Sequence, residues 1–322
     1  MRNLIISTLI ATCASQATGQ INHNPATDWM AKAKLGAFMH FLPGTQNFAN
    51  IDAFDVDALI NQLVDANADY FGFTLGQNNG YYNAPNPVFD ELTGYKPAER
   101  CSKRDLPMEI AKACKKHGIK FILYLPCQPA NRDAHAEEAI GFPATPPNSD
   151  RHFTMPGAQN WAKVIEYWAK HYGDLVDGWW FDGGYEWIGF RDKHAQLYSQ
   201  AVKSGNPNAV ATFNPGVKLV RATQFEDYTA GEINDPFTVR VEGRWTDGSQ
   251  NHILTFMGSM WGRPDCRFKD EQWIPWLKAT TAAGCPVTID MGIYASPQSA
   301  APMGTFMPEQ IKQFKRLRKA LD

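Results

Sequence analysis

The 322-residue chain has no uninterrupted apolar stretch long enough to cross a bilayer. The apolar run at 4–14 is short and is broken by Ser7, Thr8 and Thr12. Arg2 precedes it, and Ala17-Thr18-Gly19 has the small-x-small form of a cleavage site. Residues 1–19 therefore read as a signal peptide, and 20–322 as the mature domain, exported to the periplasm or the exterior. Cys13 also admits a lipid-modified reading, although Thr12 fits that poorly.

Cysteine is sparse. Cys101, Cys114, Cys127, Cys266 and Cys285 follow the leader, widely spaced and odd in number. No zinc spacing and no disulfide framework emerges. One or two bridges, or mostly buried thiols, both stay open. Charge of one sign is lacking too: the net value of −2 points to neither nucleic acid nor an anionic membrane as partner. The eight histidines fall at no paired ligand spacing, so no metal or other cofactor is expected. Gly258-Ser259-Met260-Trp261-Gly262 lacks the spacing of a serine nucleophile elbow. No glycine-rich phosphate loop opens the first helix, which argues against a nucleotide-binding open sheet.

What is present is aromatic residues and alternation. Aromatics make up 12% of the chain, with ten tryptophans, more than a core usually needs. Short apolar runs at 35–41, 70–75, 119–125, 175–181, 209–213, 252–257 and 286–291 predict strands, and 222–228 a sixth in chain order. Helical periodicity predicts helices at 56–66, 106–117, 158–172, 192–204, 270–283 and 308–321. Eight strands separated mostly by helices predict α/β class and a single-domain (β/α)8 TIM-like barrel. In such a barrel the residues after the strands share one mouth. The long segments at 77–103 and 126–156 read as rim loops.

Trp179-Trp180-Phe181-Asp182-Gly183-Gly184 ends an apolar strand abruptly in a carboxylate and two glycines. An acid at a strand lip beside indoles suits sugar cleavage: the carboxylate attacks, the rings supply a flat apolar face, and the glycines admit close approach. The alternative reading is an Asp capping the next turn. Glycoside cleavage needs a second carboxyl group, and Glu232 and Glu226 are the candidates. His40, Gln77, Asn78, Tyr124, Trp180 and Trp261 fall at or after strand ends as candidate sugar contacts. Asn214 follows the fifth strand. Asp290, in the eighth, faces the mouth or caps the closing turn.

Lys34-Leu35-Gly36-Ala37-Phe38-Met39-His40-Phe41, Phe54-Asp55-Val56-Asp57, Arg104-Asp105-Leu106, Trp180-Phe181-Asp182-Gly183, Asp227-Tyr228-Thr229-Ala230-Gly231-Glu232 and Ser259-Met260-Trp261-Gly262 occur in the order of a known family. They resemble the catalytic barrel of the retaining α-L-fucosidases, glycoside hydrolase family 29. The resemblance runs from Trp29 to the C-terminus. It implies a retaining exo-glycosidase acting on a terminal fucose or related sugar of an oligosaccharide or glycoconjugate. Asp182 would be the nucleophile and Glu232 the acid/base, with His40, Tyr124 and Trp180 lining the sugar subsite. The chain departs from the family in two places. Gln77-Asn78-Asn79-Gly80 stands where two adjacent histidines and Asp-Gly are usual, and Asn214-Pro215-Gly216 where an arginine is usual. The sugar subsite is thus divergent. The expectation has no C-terminal β-sandwich. A same-fold glycosidase acting on another sugar or in endo mode, and a glycan-binding barrel without catalysis, are the alternatives.

Overall fold

The computed structural model describes residues 23–42, 48–129, 132–143 and 152–322. The expected signal peptide lies outside these residues. Among the described residues nine strands are formed: β1 Leu35–Met39, β2 Tyr70–Thr74, β3 Lys120–Pro126, β4 Gly178–Asp182, β5 Val210–Phe213, β6 Trp245–Thr246, β7 Ser249–Gln250, β8 Ile253–Phe256 and β9 Val287–Asp290. Seven make one parallel sheet in the order β5-β4-β3-β2-β1-β9-β8. β6 and β7 form a separate antiparallel hairpin. Nearly every residue of the seven sheet strands is buried. Helices cover one face and the enclosed interior the other, which is why these strands read as unbroken apolar runs.

The helices start where the sequence supplies acceptors. Asp55 takes the Ala58 N–H at 2.9 Å at the head of the Val56–Asp65 helix, and Asp105 takes Met108 N–H at 3.0 Å before Leu106–Lys116. Thr154 caps Met155–Tyr172 in the same way. Two short helices in the rim segments, Pro87–Thr93 and Ala134–Ile140, were not foreseen; each is capped by Asn86 or Asp133. All five cysteines among the described residues are free thiols, four of them buried and Cys266 exposed.

Strand parity decides which side chains meet. Phe38 on β1, Tyr70 on β2, Ile122 and Tyr124 on β3, Trp180 on β4, Val210 on β5 and Leu254 on β8 form one cluster inside the curled sheet. Their neighbours Phe71, Leu123, Trp179, Phe181 and Ala211 point outward into the core under the helices. Gly36 admits the Tyr70 ring: a Cβ there would stand 2.2 Å from the ring edge.

The strand expected at 222–228 is not formed. Between the edges β5 and β8 runs an irregular segment, 227–233, held from both sides. Asp227 N–H donates to Ala211 O at 2.8 Å, and its carboxylate accepts from Ala211 N–H and Lys203 Nζ, each at 2.9 Å. Thr229 N–H donates to Gln250 O, and Ile233 N–H to Leu254 O, both at 2.9 Å. Gly231 explains the irregularity. Its φ is +59°, and a Cβ would lie 1.8 Å from the His252 carbonyl oxygen. The chain touches the β8 side there too closely for any side chain, and this contact fixes the position of Glu232. Gly231→Ala is expected to lower the unfolding free energy by about 2 kcal/mol or more in urea titration, through clash and strained φ together. Gly216→Ala, with φ +104° but open space around it, is expected to cost only about 1 kcal/mol.

Candidate active site

Asp182 is the last residue of β4 and has the parity of Trp180, so its carboxylate projects above the Trp180 ring into the mouth. In the register, Tyr124 pairs with Trp180 and Pro126 with Asp182. The Tyr124 and Trp180 rings stack, with centroids 5.2 Å apart and planes at 14°. Tyr124 Oη donates to Asp182 Oδ2 at 2.6 Å. Gln77 Nε2 donates to the same hydroxyl, so the tyrosine proton is directed to the aspartate. Burial, together with the nearby Asp182 charge, raises the Tyr124 phenol well above its usual range. The phenol thus holds its proton for the bond to Asp182.

One residue past β5, Asn214 shares the inward parity of Val210. Its amide Nδ2 donates to Asp182 Oδ1 at 2.9 Å and to Glu232 Oε2 at 2.5 Å. Because a single nitrogen reaches both, the two oxygens can be no farther apart than the two bonds laid end to end, about 5.4 Å. Gly183 N–H donates to Asp182 Oδ1 at 2.9 Å, the third bond to this carboxylate. Two unit charges at that separation repel by roughly 3 kcal/mol at an effective dielectric of 20. A raised proton affinity on one acid relieves this, and Glu232 has it: burial is the larger cause, the Asp182 charge adds to it, and its carboxyl is raised above the usual glutamate range despite the Asn214 bond and the His40 ring, which oppose the rise.

His40 follows β1. Its Nδ1 lies 2.9 Å from Oδ1 of Asp290, a fully buried carboxylate at the end of β9. Asp290 Oδ2 accepts from Gly262 N–H at 2.6 Å, which ties down the turn carrying Trp261. The Trp261 ring stands edge-on to His40 at 5.5 Å and against Phe256 at 4.7 Å. His40, Gln77, Tyr124, Trp180, Asp182, Glu232, Leu254 and Trp261 line one cavity of about 250 Å³. Its size suits one sugar ring, with two acids on one wall and aromatic rings around them.

Of the residues expected from the sequence, Asp182, Glu232, His40, Gln77, Tyr124, Trp180 and Trp261 thus converge. Asn78 does not line the cavity; its backbone N–H donates to Gln77 Oε1 at 2.8 Å and so orients that side chain. Glu226 lies apart from the cavity. It is buried, accepts from Ala222 N–H at 2.8 Å through Oε1, and its Oε2 has no partner. Trp179 is no sugar platform. Parity turns it outward, stacked 6.0 Å from Phe181 beneath the helices. Two contributors went unrecognised in their roles, Asn214 as the bridge and Asp290 as the partner of His40. The count of two from Val210 through residue 212 was the available signal for Asn214.

The family model described as endo-α(1,4)-fucoidanase Mef1 matches residues 59–257, more than half of the chain, and includes both acids and Asn214. The chain belongs to the Mef1 endo-fucoidanase family. The expectation of a glycoside hydrolase is met at the level of that family, whereas family 29 is not singled out. No curated protein matches the chain. Among solved structures, the endo-fucoidan hydrolase MfFcnA4 of glycoside hydrolase family 107 superposes with a TM-score of 0.75 at 20% identity, over 94% of this chain and 54% of that one. P5AFcnA, also an endo-fucoidan hydrolase of family 107, gives 0.68 at 14% identity, over 91% and 92%. The α-L-fucosidase AlfC from Lactobacillus casei, in complex with α-L-fucose, gives 0.64 at 15% identity, over 93% and 98%. The chain thus spans about half the length of MfFcnA4. At these identities the likeness is one of fold.

The two glutamates can be told apart by experiment. Burial raises the Glu226 carboxyl well above its usual range, so the folded protein holds a proton there that the unfolded chain releases. Stability through this group is present below the unfolded glutamate value and lost as pH rises toward the folded one. Glu226→Gln is expected to flatten that alkaline loss in urea titrations at several pH values. It should leave turnover within about threefold, since the side chain does not reach the cavity.

Proposed function

We propose that this protein is a retaining glycoside hydrolase that cleaves α-L-fucosyl linkages within a fucose-rich polysaccharide. The observation that carries the reading is the Asn214 amide joining Asp182 and Glu232 on the wall of a ring-lined cavity. The bridged oxygens lie no more than about 5.4 Å apart, which is compatible with the roughly 5–5.5 Å of retaining enzymes and shorter than the wider gap, roughly 6.5–9.5 Å, that inversion needs for a water. The family match supports endo action on a fucan over the exo action expected from the sequence.

In this reading Asp182 attacks the anomeric carbon. The bond from that carbon to the leaving oxygen breaks, and Glu232 delivers its proton to that oxygen. Asp182 then carries the sugar as an ester. Glu232, now a carboxylate, takes a proton from water, whose oxygen displaces Asp182. Three hydrogen bonds hold the Asp182 carboxylate in place, from Tyr124, Asn214 and Gly183. Oδ1 accepts two of these bonds and Oδ2 only one, so Oδ2 retains a lone pair for attack. His40, Gln77 and Trp261 are the proposed contacts to the sugar, and no metal or cofactor enters any step. The irregular 227–233 segment acts as the remaining stave of a (β/α)8-like barrel. Export to the periplasm or exterior, argued from residues 1–19, would bring the enzyme to a polymer too large to enter a cell.

The test is release of new reducing ends from an α-L-fucan. The wild type should produce oligosaccharides rather than free fucose. Asp182→Ala and Glu232→Ala should each lower kcat by about 10³-fold or more while still unfolding cooperatively. Release of fucose alone would restore the exo reading, and an Asp182→Ala variant within tenfold of wild type would remove the nucleophile.

A pH profile probes the bridge. The Asn214 N–H favours ionised Glu232, so Asn214→Ala should raise this acid further. The alkaline limb of kcat/KM, set by loss of the Glu232 proton, should then move to higher pH as kcat falls by about 10²-fold.

A further inference from the structure

Outside the one-ring cavity, the same rim carries a groove of about 900 Å³. Its walls include Gly184, Trp187, Arg191, Pro215, Lys218 and Arg221. Gly184 lies two residues beyond Asp182, and Pro215 immediately follows Asn214. The groove therefore starts on the same two strand-end loops that follow Asp182 and carry the bridging Asn214.

Trp187 is the outstanding side chain there. It lies on the 3-10 turn Glu186–Ile188 after β4 and is 66% exposed, the most exposed large apolar side chain among the described residues. Exposing an indole to water forfeits its burial energy, and the chain has buried most of its other tryptophans. The ring is nevertheless held in place. It stacks on Tyr185 with centroids 5.6 Å apart and planes at 10°. Tyr185 in turn lies close enough to Tyr124 to oppose ionisation of its phenol, and Tyr124 stacks on Trp180. The turn itself is braced, because Arg191 Nη1 donates to Glu186 O at 2.6 Å and to Phe190 O at 2.7 Å.

We propose that this groove is a second glycan subsite, in which the Trp187 face carries the pyranose ring next to the one in the cavity. The inference rests on the hydrolase reading above and deepens it: a polymer held at both places is cut internally. A flat, braced, solvent-facing indole offers the C–H face of a sugar ring an apolar contact. The polar groups along the groove, Lys218 among them, are left to meet the hydroxyls or other substituents on the ring edge.

The test uses the full chain with Asp182→Asn, to prevent turnover, and calorimetric titration with an α-L-fucan tetrasaccharide. Adding Trp187→Ala should weaken the tetrasaccharide about 10-fold and leave the thermal midpoint unchanged, since the ring supports no core. Adding Trp187→Phe, which keeps a ring, should restore most of the affinity. A loss under about threefold with Trp187→Ala, or equal loss with Trp187→Phe, overturns the subsite. In parallel, the wild type is assayed for reducing ends from fucan. Cleavage that persists while binding is indifferent to position 187 removes the subsite alone. Absence of both cleavage and tetrasaccharide binding removes the hydrolase reading with it.

Discussion

A single amide nitrogen, Nδ2 of Asn214, holds the two acids of this protein together. Carboxylates so close would repel if both were charged, and the donor between them fixes their spacing while leaving Asp182 Oδ2 a free lone pair. The other site contacts work around this arrangement. Tyr124 and Gly183 fix Asp182, Gln77 directs the Tyr124 proton, and Asp290 orients His40 on the opposite side. The proposed division of labour follows from surroundings rather than residue type. Asp182 is solvated by three fixed donors, whereas Glu232 is desolvated beside another acid and keeps its proton more readily.

The scaffold brings these groups together through strand parity and one glycine. Tyr124, Trp180 and Val210 face inward on neighbouring parallel strands, and the same parity, carried on to the strand ends, brings Asp182 and Asn214 side by side at the mouth. Glu232 comes from the irregular segment at the gap between β5 and β8. Asp227 anchors that segment to β5, and Gly231 lets its backbone press against the β8 side.

Much of this was legible in the sequence because strands buried on both faces read as apolar runs, and Asp55, Asp105 and Thr154 announce their helices. Seven of the eight expected strands were formed for that reason. The eighth was not, since the apolar and aromatic residues of 222–228 look like a strand while Gly231 and the bonds to both edges impose another path. Asp182 and Glu232 were legible as acids flanking a mouth, 50 positions apart in the chain. Trp179 misled, because two adjacent tryptophans on a strand must face opposite ways and only Trp180 faces in. The double bond of Asn214 and the exposure of Trp187 depend on distances between loops, which no local pattern encodes.

The central claim is that Asp182 forms a covalent bond to the sugar while Glu232 handles the proton. Incubating the protein with a 2-deoxy-2-fluoro-α-L-fucosyl fluoride, then mapping peptides by mass spectrometry, tests it most directly. One adduct is expected, on the peptide containing Asp182, and none in Asp182→Ala. An adduct on another carboxylate, or steady turnover of a fucan by a protein that never labels, would contradict it.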